Sequence, residues 1–78
     1  MPRDLSTIGC AGVISVRTRG DEGAGEVVLS VRGGTEAYLA WSAEPLEKGT
    51  RVVVVDTRAA RAVDVVRAED LGLSFGLP

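Results

Sequence analysis

Few residues in this chain could do chemistry, and their spacing does not assemble them for it. The sequence contains no histidine and a single cysteine, Cys10. A thiolate nucleophile would therefore lack its usual activating base. Cys10 reads instead as a small hydrophobe at the start of a strand, and one cysteine cannot form an intramolecular disulfide, which fits a reducing compartment. Asp21 and Glu22 sit in a glycine-rich stretch, GDEGAG. Calcium loops need acidic residues at alternating positions, and none follow here, so the stretch reads as a solvated hairpin tip. Asp56 and Asp64 fall on successive strands and could face one another. Carboxylates at strand ends without a cleft are ordinarily solvated, and acid–base catalysis needs a positioned group with a perturbed pKa. No phosphate-binding glycine loop, CxxC pair or nucleophile elbow is present. No catalytic residue, metal ligand or cofactor is assigned, and the expectation is a protein that is not an enzyme.

What remains are side chains suited to recognition. Arg58, Arg61 and Arg67 gather around the last two strands. Among acidic neighbours they form a largely solvated face. Arg58 and Arg61 stand as interaction candidates with Tyr38, and with Leu73 and Phe75 from an apolar-alternating C-terminal stretch. The aromatics are Tyr38, Trp41 and Phe75 alone. The formal net charge is −2 and the isoelectric point about 5.0. That balance lacks the basic footprint that phosphate backbones require, and it is too mild to mimic a nucleic acid. The longest apolar run is far shorter than the ~20 residues that span a bilayer, and Asp4 breaks the N-terminus as a signal peptide. The sequence thus predicts a cytoplasmic, soluble chain.

The elements that would hold these residues are strands. Four consecutive valines, Val52 to Val55, follow a turn marked by Pro45 and Gly49. A short β-branched run bounded by turn residues is a buried strand, predicted over 51–56. A second strand is predicted over 62–67. Before these, residues 8–19 read as a first strand and residues 26–32 as the clearest one, with Val27, Leu29 and Val31 on a single face. Gly33 and Gly34 are expected to make the tight turn into a third strand over 35–42. There Tyr38 and Trp41 have opposite parity, so only one of them can point into a core. A single helical turn is expected near 45–48. Residues 1–7 read as a loose lead-in and 68–78 as a tail, either poorly ordered or adding a sixth short strand at an edge.

Five strands in under seventy residues are the content of a small all-β, five-stranded Greek-key barrel of the OB type. The order of motifs resembles the soluble C-terminal domain of the NfeD-like family. The matching pieces are Gly9-Cys10-Ala11-Gly12-Val13, Gly25-Glu26-Val27, Tyr38-Leu39-Ala40-Trp41-Ser42, and Glu44-Pro45-Leu46-Glu47-Lys48-Gly49-Thr50-Arg51-Val52-Val53-Val54. The resemblance covers residues 8–67. It implies an OB-like barrel with a short turn where many OB-folds carry a helix. It also implies a protein-interaction module beside a stomatin- or flotillin-type membrane scaffold protein. Family members usually carry a membrane anchor and this sequence shows none, so attachment would come through the partner or a missing anchor segment. Homo-oligomerisation stays open. Single-stranded nucleic-acid binding is the alternative that an OB barrel suggests, but negative charge and sparse aromatics oppose it, and no nucleic acid is expected.

Overall fold

The computed structural model describes residues 5–72. Its strands are β1 (Ala11–Val16), β2 (Gly25–Val31), β3 (Gly34–Trp41), β4 (Arg51–Ala59) and β5 (Ala62–Arg67). They close into a barrel in the order β1-β2-β3-β5-β4, with β4 returning to pair with β1. All neighbours are antiparallel except β3 and β5, which run parallel over Leu39–Trp41. This is the five-stranded OB-type barrel expected from the sequence.

Alternation decides what lies inside. Val27 and Leu29 of β2, Tyr38 and Ala40 of β3, Val52 and Val54 of β4, and Val63 and Val65 of β5 share one core with Ile14 and Leu46. The paired core residues of β2, β3, β4 and β5 are each two apart, because the pleat turns successive side chains to opposite faces, while β1 contributes Ile14 alone. Val31 packs against the rim of this cluster.

Several boundaries differ from the sequence reading, each for a local reason. β1 is shorter than residues 8–19. Ile8 and Gly9 form a turn, with Gly9 at positive φ, and at the other end Thr18 leaves the ladder to pair with Leu46. Short 3₁₀ turns at Leu5–Thr7 and Gly20–Glu22 lie beyond these ends. The β2–β3 turn is Arg32–Gly33, with positive φ at both residues, and Gly34 already belongs to β3. That is a two-residue turn of the primed type, whose twist matches the flanking strands. Residues 45–48 form no helical turn. The connection is instead fixed by Thr18, whose buried hydroxyl accepts from the Leu46 N–H at 2.7 Å, while the Thr18 N–H donates to the Leu46 carbonyl at 3.0 Å. β4 runs three residues past the predicted end, carried by register shifts on either side of Asp56–Thr57. Ala68–Leu71 is a 3₁₀ turn whose Ala68 is buried, rather than a sixth strand or loose chain. The rest of the C-terminal stretch lies outside the described residues.

Candidate interaction surface

β3 carries one arginine–aromatic cluster on each of its faces. Trp41 stands on the outer face and is register partner of Asp64 on β5. Arg58 of β4 reaches across that strand, so that its Nε donates to Asp64 Oδ1 at 2.9 Å while its guanidinium carbon lies 4.5 Å from the Trp41 ring centroid. A carboxylate on one side and an aromatic face on the other hold the guanidinium plane in place. Leu39, on the same outer face, is 55% exposed.

The second cluster sits at the mouth of the barrel. Tyr38 faces inward and is 6% exposed. Arg61, in the β4–β5 turn, lies over its ring at 4.7 Å. The Arg61 Nη1 donates to Glu36 Oε1 at 3.1 Å and Nη2 to the Ala37 carbonyl at 3.0 Å. The Tyr38 hydroxyl donates to the same Glu36 oxygen at 3.2 Å. Tyr38 is thus a core residue whose ring face is covered by Arg61, and this corrects the expectation that it offers itself as a surface contact. Its parity puts Trp41 outside, half-buried beneath Arg58.

The other candidates separate. Arg67 is at the far end of β5 from Arg61, 3.5 Å from Glu44, so the three arginines do not form one patch. Leu73 and Phe75 lie outside the described residues. Asp56 and Asp64 are register partners in the β4–β5 ladder, but their carboxylates are engaged differently. Asp56 Oδ1 accepts from the Thr57 N–H at 2.8 Å, whereas Asp64 binds Arg58. Among the described residues no three acidic, histidine or cysteine side chains converge on a metal-sized site. Glu36 is the participant that sequence reading passed over. Its shared parity with Tyr38, two residues on, was the available signal, but nothing in the chain pointed to Arg61 from a distance of 25 residues. A shallow groove of about 280 Å³ also lies over the outer face of β1 and β2, lined chiefly by Val13, Val28, Ser30 and Arg51.

This geometry offers stacked arginines and exposed apolar side chains. The NfeD C-terminal domain model matches residues 11–66, from the first residue of β1 almost to the last of β5. The chain belongs to the NfeD C-terminal domain family. Solved structures agree. The soluble domain of the NfeD protein YuaF from Bacillus subtilis is similar at 33% identity and a TM-score of 0.67, over 78% of this chain and 73% of that one. The C-terminal domain of stomatin operon partner protein 1510-C from Pyrococcus horikoshii is similar at 30% identity and a TM-score of 0.60, over 78% of this chain and 86% of that one. No curated protein matches. No helix among the described residues is long and apolar enough to cross a membrane.

Proposed function

We propose that this NfeD C-terminal domain is a non-enzymatic protein-interaction module whose partner is a stomatin- or flotillin-type membrane scaffold protein. The observation that carries the reading is the similarity to a domain that is itself named a stomatin operon partner, at 30% identity over 78% of the chain. The surface chemistry suits it. Arginine and tryptophan are the residue types that dominate protein interfaces, and Arg58 on Trp41 is held ready by Asp64. An arginine ordered before binding loses less side-chain entropy on association. The domain would work at the cytoplasmic face of a membrane, brought there by the partner or by an anchor segment.

The test is direct capture. The purified domain is immobilised and offered the stomatin-type protein encoded in the same genome, in detergent or nanodiscs. Saturable binding that weakens in Arg58→Ala and Trp41→Ala is expected. Absence of binding by the folded wild-type domain at high concentration of both proteins would remove the reading. A salt-sensitive shift of a labelled oligonucleotide would replace it with the nucleic-acid alternative.

A further inference from the structure

The barrel closes completely, but not along the whole of β3. Every residue from Gly34 to Ala40 pairs with β2, whereas β5 pairs with Leu39–Trp41 alone. The first half of β3 therefore projects past the β4–β5 turn with one edge uncovered. The hydrogen-bond phase identifies which groups lie on that edge. The Leu39 N–H donates to the Arg61 carbonyl at 2.8 Å, so residues of the same parity, Ala37 and Thr35, point their main-chain groups the same way. Among the described residues the N–H groups of both have no partner. The Ala37 carbonyl on this edge accepts from Arg61 Nη2, and the same guanidinium neutralises Glu36 beside it. In effect, the Arg61 side chain stands where a neighbouring strand would stand. It supplies a donor to Ala37 and a positive charge to Glu36, from a side chain that is itself 62% exposed.

We propose that the uncovered edge of β3 is a strand-addition site, and that its occupant is an extended protein segment with a lysine or arginine opposite Glu36. Such a segment would replace the two contacts Arg61 now provides, the donor to the Ala37 carbonyl from its main chain and the charge beside Glu36 from its lysine or arginine. It would also pair the Thr35 and Ala37 amides. Strand addition draws affinity from main-chain hydrogen bonds and selectivity from alternate side chains. The residues opposite Thr35 and Ala37 then fall on the outer face, where Leu39 lies exposed, and should be apolar. A second copy of this chain fits poorly. The antiparallel self-pairing that satisfies Thr35 and Ala37 together places Glu36 directly against its own counterpart, and like charges in that position repel. Arg61 shields the edge when no segment is bound, in the way that edge strands are commonly blunted by charge.

This inference deepens the interaction-module reading, yet it is tested without the stomatin-type protein. The ¹⁵N-labelled domain is titrated with a synthetic peptide alternating valine and lysine, and with a control alternating valine and glutamate. The valine–lysine peptide is expected to shift the Thr35 and Ala37 amides and slow their hydrogen exchange, leaving Val52 and Val54 unmoved. Ala37→Pro removes one edge donor that no barrel contact uses, so the variant should fold, as its amide spectrum will verify, and bind about tenfold more weakly. Arg61→Ala should bind more tightly, because the placeholder is gone. Equal response to both peptides, or undiminished binding by a folded Ala37→Pro, overturns the proposal. Concentration-dependent dimerisation through the same amides would overturn its choice of occupant. If the valine–lysine peptide does not bind as described while the stomatin-type protein is captured by the wild-type domain, the edge proposal fails and the partner reading stands. If the peptide binds as described and the scaffold protein does not, the reverse holds.

Discussion

At the scale of single residues, Gly25 is set by close approach rather than by chemistry. A Cβ on Gly25 would lie 2.1 Å from the Val16 carbonyl oxygen and 2.5 Å from that of Arg17. Both atoms are main chain and cannot swing aside, because β1 and β2 are paired immediately beyond them. Gly25→Ala should therefore cost about 3 kcal/mol and lower the melting temperature by roughly 15 °C. Gly34→Ala is the control, since a Cβ there meets nothing nearer than 3.8 Å, and it should melt close to wild type. Equal melting of the two variants would show that β1 and β2 are not as close as described. Thr18 is the polar counterpart. Its hydroxyl lies 2.6 Å from Ser42 Oγ and is the acceptor for the Leu46 N–H, in a place sealed from water. Thr18→Val keeps the shape and strands that amide, so unfolding measured with denaturant should become easier by about 2 kcal/mol. Serine at the same position should recover most of the loss.

At the scale of elements, the valine run of β4 shows what the sequence could and could not convey. Four identical residues define a strand without defining its phase. The phase comes from the ladders: Val54 pairs with Val65 of β5, and its N–H donates to the Cys10 carbonyl. Val54 is 1% exposed, whereas Val55, at the register shift that follows, is on the surface. Val54→Asp buries a charge with no partner and should abolish folding of a domain whose total stability is of order 5–10 kcal/mol. Val55→Asp should leave the circular dichroism spectrum and melting curve nearly unchanged. If the two variants behaved alike, the register would be wrong by one residue. Strand existence, the core face of β2 and the extent of β5 were all legible from alternation. The places that were not share one cause. The primed turn at Arg32–Gly33, the 3₁₀ turns and the extension of β4 depend on register shifts and cross-chain hydrogen bonds, which a linear pattern does not carry. The candidate surface was legible by residue type and not by partnership. Arg58 and Arg61 were visible as arginines, but Trp41, Asp64 and Glu36 join them only through the parallel β3–β5 seam.

At the scale of the whole molecule, closure governs how the domain should come apart. Each strand has two neighbours, and the seams joining β1 to β4 and β3 to β5 each link distant parts of the chain through three register pairs. Losing one strand breaks two ladders and opens the shared core, so partial unfolding gains little entropy for what it exposes. Trp41 is a convenient witness, because it sits at the β3–β5 seam under Arg58 while most of the sheet lies elsewhere. Urea unfolding followed by Trp41 fluorescence should coincide with unfolding followed by far-ultraviolet circular dichroism, as a two-state transition requires. A fluorescence midpoint well below the dichroism midpoint would mean that the parallel seam opens first and that the barrel is closed only weakly. Native-state hydrogen exchange refines the expectation. Amides of Val27, Val54 and Val65 should exchange only with global opening, while Thr35 and Ala37, on the uncovered stretch of β3, should exchange from the native state. The same closure that makes the core cooperative thus leaves one short edge of β3 available for pairing without unfolding anything else.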